Sequence, residues 1–426
     1  IGMTGSTPRS GITPMAITTN ASIDQSAART SATAWRWALR LYAGYSALFI
    51  LWNAWVSSVY PKWGEEASVA VWFPSAPVGT WLERVVLLPL LRYDVLWYVG
   101  IAQHGYGHRP GDTAFHPLYP LLIGVLGRSL GGAYLLAAWL IAQVCCVALL
   151  TMLYRLVTLD DDDATAQRTT LFLIGSPIGF SFLLPYTESL LLLSIVAAWY
   201  AGRKGRWWLA GAAGGAAALT KQPGVVVVAP LLWELWQQYR VTVRTMGARA
   251  LIRPLAGLSL TPVALLGWIV YRATLGDVAF SWREPGTLVS ALLVTPSYAD
   301  VWGETFSWPW VNFGYALNQL REHPYFYLLL NLMVMLIMLA LTLASAARVR
   351  RSYTIYSLTL AAMNLAIVYP LWPYMGIIRR FTIIFPMFIQ LARWGRSPAV
   401  LWPTLICNAI LWTLIASMYV RNAFVP

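Results

Sequence analysis

The chain has 426 residues, 58% of them hydrophobic and 11% charged, with a mean hydropathy of +0.59. Soluble domains carry about 25% charged residues, so the composition excludes a soluble globular protein. Apolar runs recur along the whole chain, which also excludes a soluble domain on a single anchor. The net charge of +13 does not imply nucleic acid, because the basic residues cluster between apolar runs in the positive-inside manner.

Residues 1–34 are rich in Ser, Thr, Ala and Gly and hold no apolar run long enough for a signal peptide. They are expected to form a disordered cytoplasmic tail, followed over 35–426 by a single transmembrane domain. Hydropathy places spans near 37–59, 132–156, 168–185, 188–203, 207–221, 223–239, 254–275, 324–346, 353–370, 378–394 and 399–420. The expected fold is therefore an all-α polytopic membrane protein with about eleven transmembrane helices. Cys145, Cys146 and Cys407 lie in apolar segments and read as small apolar side chains, not as a disulfide framework.

The first outer loop, about 60–131, opens with an amphipathic stretch, Thr80–Leu91, expected to lie along the interface. Arg92-Tyr93-Asp94 follows, with Trp97-Tyr98 behind it. A carboxylate at the membrane–water boundary can take a proton from an acceptor hydroxyl while the other substrate stays anchored in lipid, so Asp94 is the candidate general base. His104, His108 and His116 share this loop with Asp112, but their spacings match no zinc or paired-metal motif. His116 opens the Pro117–Leu130 stretch, which is too short to span, is interrupted by Pro120 and Gly124, and reads as an interfacial or re-entrant helix. Counting it as a span would turn Arg155, Arg203–Arg206 and Arg240–Arg253 outward, against the positive-inside bias. With the amino terminus inside, the carboxyl terminus is outside and Asp160–Asp163 forms a cytoplasmic acidic run, read as a solvated loop.

Three further outer breaks carry ionisable residues. Pro185-Tyr186-Thr187-Glu188 starts a span, where Glu188 either caps the helix or orients a substrate or the base loop. Lys221-Gln222-Pro223 places a cation at the next outer turn. Arg379-Arg380 departs from the inside bias and suits a lipid phosphate. The second outer loop, about 276–323, mixes Trp282, Arg283, Glu284, Trp302, Glu304, Trp308 and Trp310, as a substrate-facing cap would. No glycine-rich phosphate loop or nucleotide-binding fold is visible, so a sugar donor would have to arrive in the membrane on a lipid.

The segments around Asp94 and Trp97-Tyr98, Ile101–Tyr106, Phe115–Pro120, Pro185–Ser189 and Ala218–Gly224 share an order and spacing over roughly residues 90–230. In these the chain resembles bacterial homologues of the PIG-V type mannosyltransferases, the second mannosyltransferase of glycosylphosphatidylinositol assembly, in the GT-C superfamily. Beyond 230 the likeness is hydropathy plus Arg379-Arg380-Phe381 and Phe385-Pro386. The resemblance implies a GT-C fold with interfacial helices in its first outer loop, a polyprenyl-phosphate sugar donor, most simply mannose, and inversion at the anomeric carbon. It also implies a glycolipid or glycan acceptor, and a multi-pass protein of the bacterial cytoplasmic membrane with its site facing outward. Asp94 would be catalytic, and Arg379, Arg380 and Lys221 would hold the donor phosphate. Trp97, Tyr98, His104, His116, Tyr119, Tyr186, Glu188, Gln222 and Trp282 would line the substrates. The chain departs from the family where Tyr93 precedes Asp94 in place of Trp, where His116 replaces a second Phe, and where Lys221 replaces Arg. These changes keep the base but loosen the identity of sugar and acceptor. No second carboxylate two residues from Asp94 is present, so no cofactor and no divalent metal are expected. The alternatives are another lipid-linked sugar, such as glucose or arabinose, or a lipid or solute transporter, although no internal repeat of the transporter kind is seen.

Overall fold

The structure, a computed structural model, describes residues 20–59, 87, 90–281, 283, 284, 286, 287, 291, 303–323 and 326–421, with the backbone alone for 20–30. Most of Thr80–Leu91, and Trp282 and Trp302, lie outside the described residues. Helix α1 runs Asn20–Val59, so the later part of the expected tail is helical. The Ala-rich stretch before Trp35 propagates readily from the apolar span that follows it. The first long loop contributes α2 (Asp94–His104) and α3 (Leu118–Ser129). At about 18 Å, the 12 residues of α3 cannot cross a hydrocarbon core of about 30 Å.

After it come α4 (Tyr134–Val157), α5 (Asp163–Ile174), α6 (Glu188–Arg203), α7 (Trp207–Thr220), α8 (Val228–Met246), α9 (Ile252–Leu258) and α10 (Leu260–Thr274). Helix α11 (Pro309–Glu322) leads to α12 (Phe326–Ala346), α13 (Arg351–Ala366), α14 (Ile377–Thr382), α15 (Pro386–Trp394) and α16 (Pro398–Val420). Helices α4, α12 and α16 are long and apolar enough to cross a membrane, as is the pair α9–α10 if its 43° bend is one broken span. The stretch at 37–59 lies in the 40-residue α1, and the remaining apolar stretches form shorter helices. The stretch at 168–185 stops as a helix at Ile174, before Gly175 and Pro177, and resumes as a 3-10 turn at Gly179–Phe182. The stretch at 378–394 divides at Pro386, whose ring cannot continue a helix that precedes it. Much of this apolar sequence serves burial inside protein: Phe172, Trp199, Tyr356 and Phe385 are fully buried, and Trp199 packs 4.9 Å from Tyr353 and 5.3 Å from Tyr356.

Small residues let helices approach closely, as in membrane packing generally. Gly211 and Gly215 stand four apart on α7, and a Cβ on Gly211 would lie 1.8 Å from the Gly257 carbonyl of α9. Gly211→Ala is expected to cost about 1–3 kcal/mol through overpacking, read as a lower melting temperature in detergent.

At one end of the bundle the acidic run is paired. Arg203 holds Asp160 through bonds of 2.7 and 2.8 Å, Arg393 holds Asp161 through 2.9 and 2.8 Å, and Arg396 lies 3.2 Å from Asp162. Burial works to raise the Asp160 carboxyl, but the Arg203 hydrogen bond and neighbouring charges hold it below its ordinary value. Asp162 also caps α5, accepting from the Thr165 amide at 2.8 Å. The run thus ties α5, α6 and α15 together, and among the described residues no three His, Cys, Asp or Glu side chains group as metal ligands. Helix α6 leads from this end, at Arg203, to Glu188 about 24 Å away. The ion-paired end and the end carrying Asp94 are therefore opposite faces of the bundle. In a cysteine-free background, cysteine at the exposed position Lys204 is expected to react with an impermeant reagent only in broken cells. Cysteine at exposed His108 should react in intact ones; the reverse pattern would invert the topology.

Candidate active site

Asp94 is placed by its neighbours in sequence. Arg92 is buried and donates to the Tyr419 and Val420 carbonyls at 2.6 and 2.8 Å, filling acceptors left open at the end of α16. Tyr93 then turns the chain with φ of +50°, a costly backbone for a residue with a Cβ, and Asp94 opens α2. The other non-glycine residue with positive φ among those described is Tyr374, at +59°, just before α14. These two turns deliver Asp94 and Arg379 to each other, and such strained positions concentrate at functional sites.

The Asp94 carboxylate lies 2.7 Å from Arg379 Nη1, with side chains 22% and 11% exposed, so the base is open to a substrate and its partner is nearly enclosed. Arg379 Nε stands 3.4 Å from Glu188 Oε1, and Lys221 Nζ donates to the same oxygen at 3.0 Å. The Arg379 guanidinium also lies over the Tyr186 ring, 5.0 Å from its centroid. Asp94, Arg379, Glu188 and Lys221 therefore form one chain of alternating charge built from α2, α14, α6 and the turn after α7. Glu188 is buried, and its Oε2 has no hydrogen-bond partner among the described residues. Thr187 beside it shares a hydrogen bond with the Tyr98 hydroxyl at 3.2 Å.

Arg380 faces a different set of groups. Its Nη2 donates to the Met375 carbonyl at 2.7 Å and its guanidinium lies 5.4 Å from the centre of the Tyr369 ring. Its Nε and Nη1 are buried without an acceptor among the described residues. Buried cationic donors without acceptors are costly and mark a place for an anion. Tyr369 in turn hydrogen-bonds Glu304 of the second long loop. That loop is held down by a two-residue ladder, Thr305–Phe306 (β1) against Ile367–Val368 (β2).

Other expected site residues do structural work nearby. His116 is buried, its Nδ1 lies 2.7 Å from the Ala218 carbonyl, and burial lowers its pKa to about 4, so the neutral ring donates to that carbonyl. Trp97 stacks on Phe115 at 5.4 Å, Tyr98 meets Phe115 and Tyr119 edge-on at 5.1 Å, and the Tyr119 hydroxyl donates to the Ala138 carbonyl. This aromatic layer braces α2 against α3 and α4. His104 is exposed and stacks on His108 at 4.9 Å. Gln222 is half-buried next to Lys221, and Trp282 lies outside the described residues.

Sequence reasoning missed two relationships. The pairing of Asp94 with Arg379 spans 285 positions and carries no local signal. Tyr369 ends an apolar run and looks like any interfacial tyrosine. No family model and no curated protein matches the chain. Among solved structures it is similar to the crystal structure of ArnT from Cupriavidus metallidurans bound to undecaprenyl phosphate. The identity is 16% and the TM-score 0.42, over 86% of this chain and 63% of that one. The chain thus spans less than two thirds of that protein's length. At that score the likeness decides nothing about activity, which rests on the residues.

Proposed function

We propose that the chain is an inverting GT-C type glycosyltransferase that moves a sugar, mannose by its PIG-V-like motifs, from a polyprenyl phosphate to an acceptor hydroxyl. The acceptor is a glycolipid or glycan, and the reaction takes place at the outer face of the bacterial cytoplasmic membrane. The observation that carries this reading is a solvent-reachable carboxylate, Asp94, 2.7 Å from the first of three clustered cations, Arg379, Arg380 and Lys221, at one end of an apolar bundle. Asp94 takes the acceptor's proton, and the freed oxygen attacks the anomeric carbon in line. The bond from that carbon to the phosphate oxygen breaks, and its electron pair leaves with the lipid phosphate. Arg380, with two nitrogens lacking acceptors among the described residues, stabilises that charge together with Lys221. Arg379 links the two functions, orienting the base while adding positive charge beside the phosphate.

The absence of a nucleotide-binding motif favours a lipid-borne donor. Reconstituted protein offered the same sugar on a nucleotide and on a polyprenyl phosphate is expected to use only the lipid form. Turnover of the nucleotide sugar at a comparable rate would overturn the assignment. Transfer should also proceed undiminished in EDTA, because a single carboxylate and fixed cations supply the base and the charge. Activity lost in EDTA and restored by magnesium or manganese would make His104, His116 and Asp112 the groups to examine. Transport of an intact lipid is the second class of function to set against this one, and the linked charges of Asp94, Glu188 and Lys221 sit where helices begin or end.

A further inference from the structure

We propose that Glu304, on the second outer loop, is a specificity residue whose carboxylate takes hydroxyls of the donor sugar. The inference rests on the transferase reading above. Glu304 reaches the site through Tyr369, whose hydroxyl bonds the carboxylate while its ring lies over Arg380. Arg380 is the chain neighbour of Arg379, which holds Asp94. Two carboxylates thus flank the arginine pair, Asp94 from the first outer loop and Glu304 from the second.

Their partners assign them different ligands. A carboxylate accepts hydrogen bonds and repels a phosphate, so Glu304 does not serve the leaving group. Tyr369 fills one of its oxygens, and no described residue donates to the other, Oε1. Burial pushes the Glu304 carboxyl up, against the Tyr369 hydrogen bond and the charges of Arg380 and Lys221. The donors that a polyprenyl-phosphate sugar offers next to its phosphate are the sugar hydroxyls. The acceptor's reacting hydroxyl belongs to Asp94.

The loop is also fixed well enough to read a ligand. Beyond the β1–β2 ladder, the Ser307 amide donates to the Ala366 carbonyl at 2.9 Å. The side chains of Asn312 and Gln319 donate to the carbonyls of Ile367 and Leu371 at 3.1 and 2.6 Å. These bonds lock Glu304 and Tyr369 to the segment that enters α14, so the sugar-reading and phosphate-binding groups keep one geometry.

The test compares purified wild-type, Glu304→Gln, Tyr369→Phe and Arg380→Ala proteins on polyprenyl-phosphate sugars that differ at single hydroxyls. Sugar-free polyprenyl phosphate serves as a competitive inhibitor. A lost charge-assisted bond predicts a fall of roughly ten- to a hundredfold in kcat/KM for the preferred sugar in Glu304→Gln. The preference over the analogue lacking the recognised hydroxyl should collapse at the same time. Inhibition by polyprenyl phosphate should stay at the wild-type value in Glu304→Gln and weaken in Arg380→Ala. Tyr369→Phe should show a milder form of the Glu304→Gln pattern, and it keeps the test open if the glutamine variant does not fold. Unchanged sugar preference, or inhibition weakened in step with activity, would make Glu304 a brace for Arg380 and overturn the proposal. If the wild-type protein uses none of the panel, the transferase reading itself falls and this proposal with it.

Discussion

Asp94→Asn is expected to reduce transfer by about 10²- to 10⁴-fold, the usual worth of general base catalysis, while leaving the protein folded. Asparagine matches aspartate in size, so α2 keeps its packing. Arg379 does not become an uncompensated buried charge, because Glu188 Oε1 remains 3.4 Å from its Nε. The loss should fall on kcat, since proton removal belongs to the transition state and not to substrate binding. A folded asparagine variant with near-normal turnover would remove Asp94 from the mechanism.

The second large effect is expected from Arg379 and Arg380. Each charge-assisted bond to a phosphate is worth about 1.5–3 kcal/mol, so the double alanine variant should use donor at least tenfold less well. The two positions should differ when changed singly. Arg380→Ala loses an anion contact and should act mainly on the apparent affinity for donor. Arg379→Ala also frees Asp94 from a 2.7 Å partner and should lower kcat as well. Lysine at either position should rescue partly, because it is a point charge without the planar fork of donors. If the double variant keeps normal donor affinity and rate, the arginines serve only to anchor the protein in the membrane, and Lys221 becomes the next group to change.

The membrane character, the helical class and the breaks between apolar runs are legible because each is written in local composition. Asp94, Glu188, Lys221 and Arg379 could each be picked out as an ionisable group where an apolar run begins or ends. Their mutual arrangement could not, since it depends on two positive-φ turns, at Tyr93 and Tyr374, that carry no glycine to announce them. Apolar runs were also read as spans where the structure has short helices, as at 168–185 and 378–394, because burial in protein and burial in lipid demand the same residues. The acidic run at Asp160–Asp163 is solvated at Asp162 and Asp163, while its first three members also pair with arginines that come from α6, α15 and the turn after α15. Those partners lie far along the chain and are invisible in a local window.

The most direct test separates group transfer from transport. Proteoliposomes holding the purified protein and a polyprenyl-phosphate sugar labelled in both sugar and lipid are given a panel of hydroxyl acceptors. Bond cleavage predicts free polyprenyl phosphate released in step with sugar appearing on the acceptor, with the opposite anomeric configuration. Labelled lipid that crosses the bilayer with its sugar still attached, and no released lipid phosphate on any acceptor, would contradict the account.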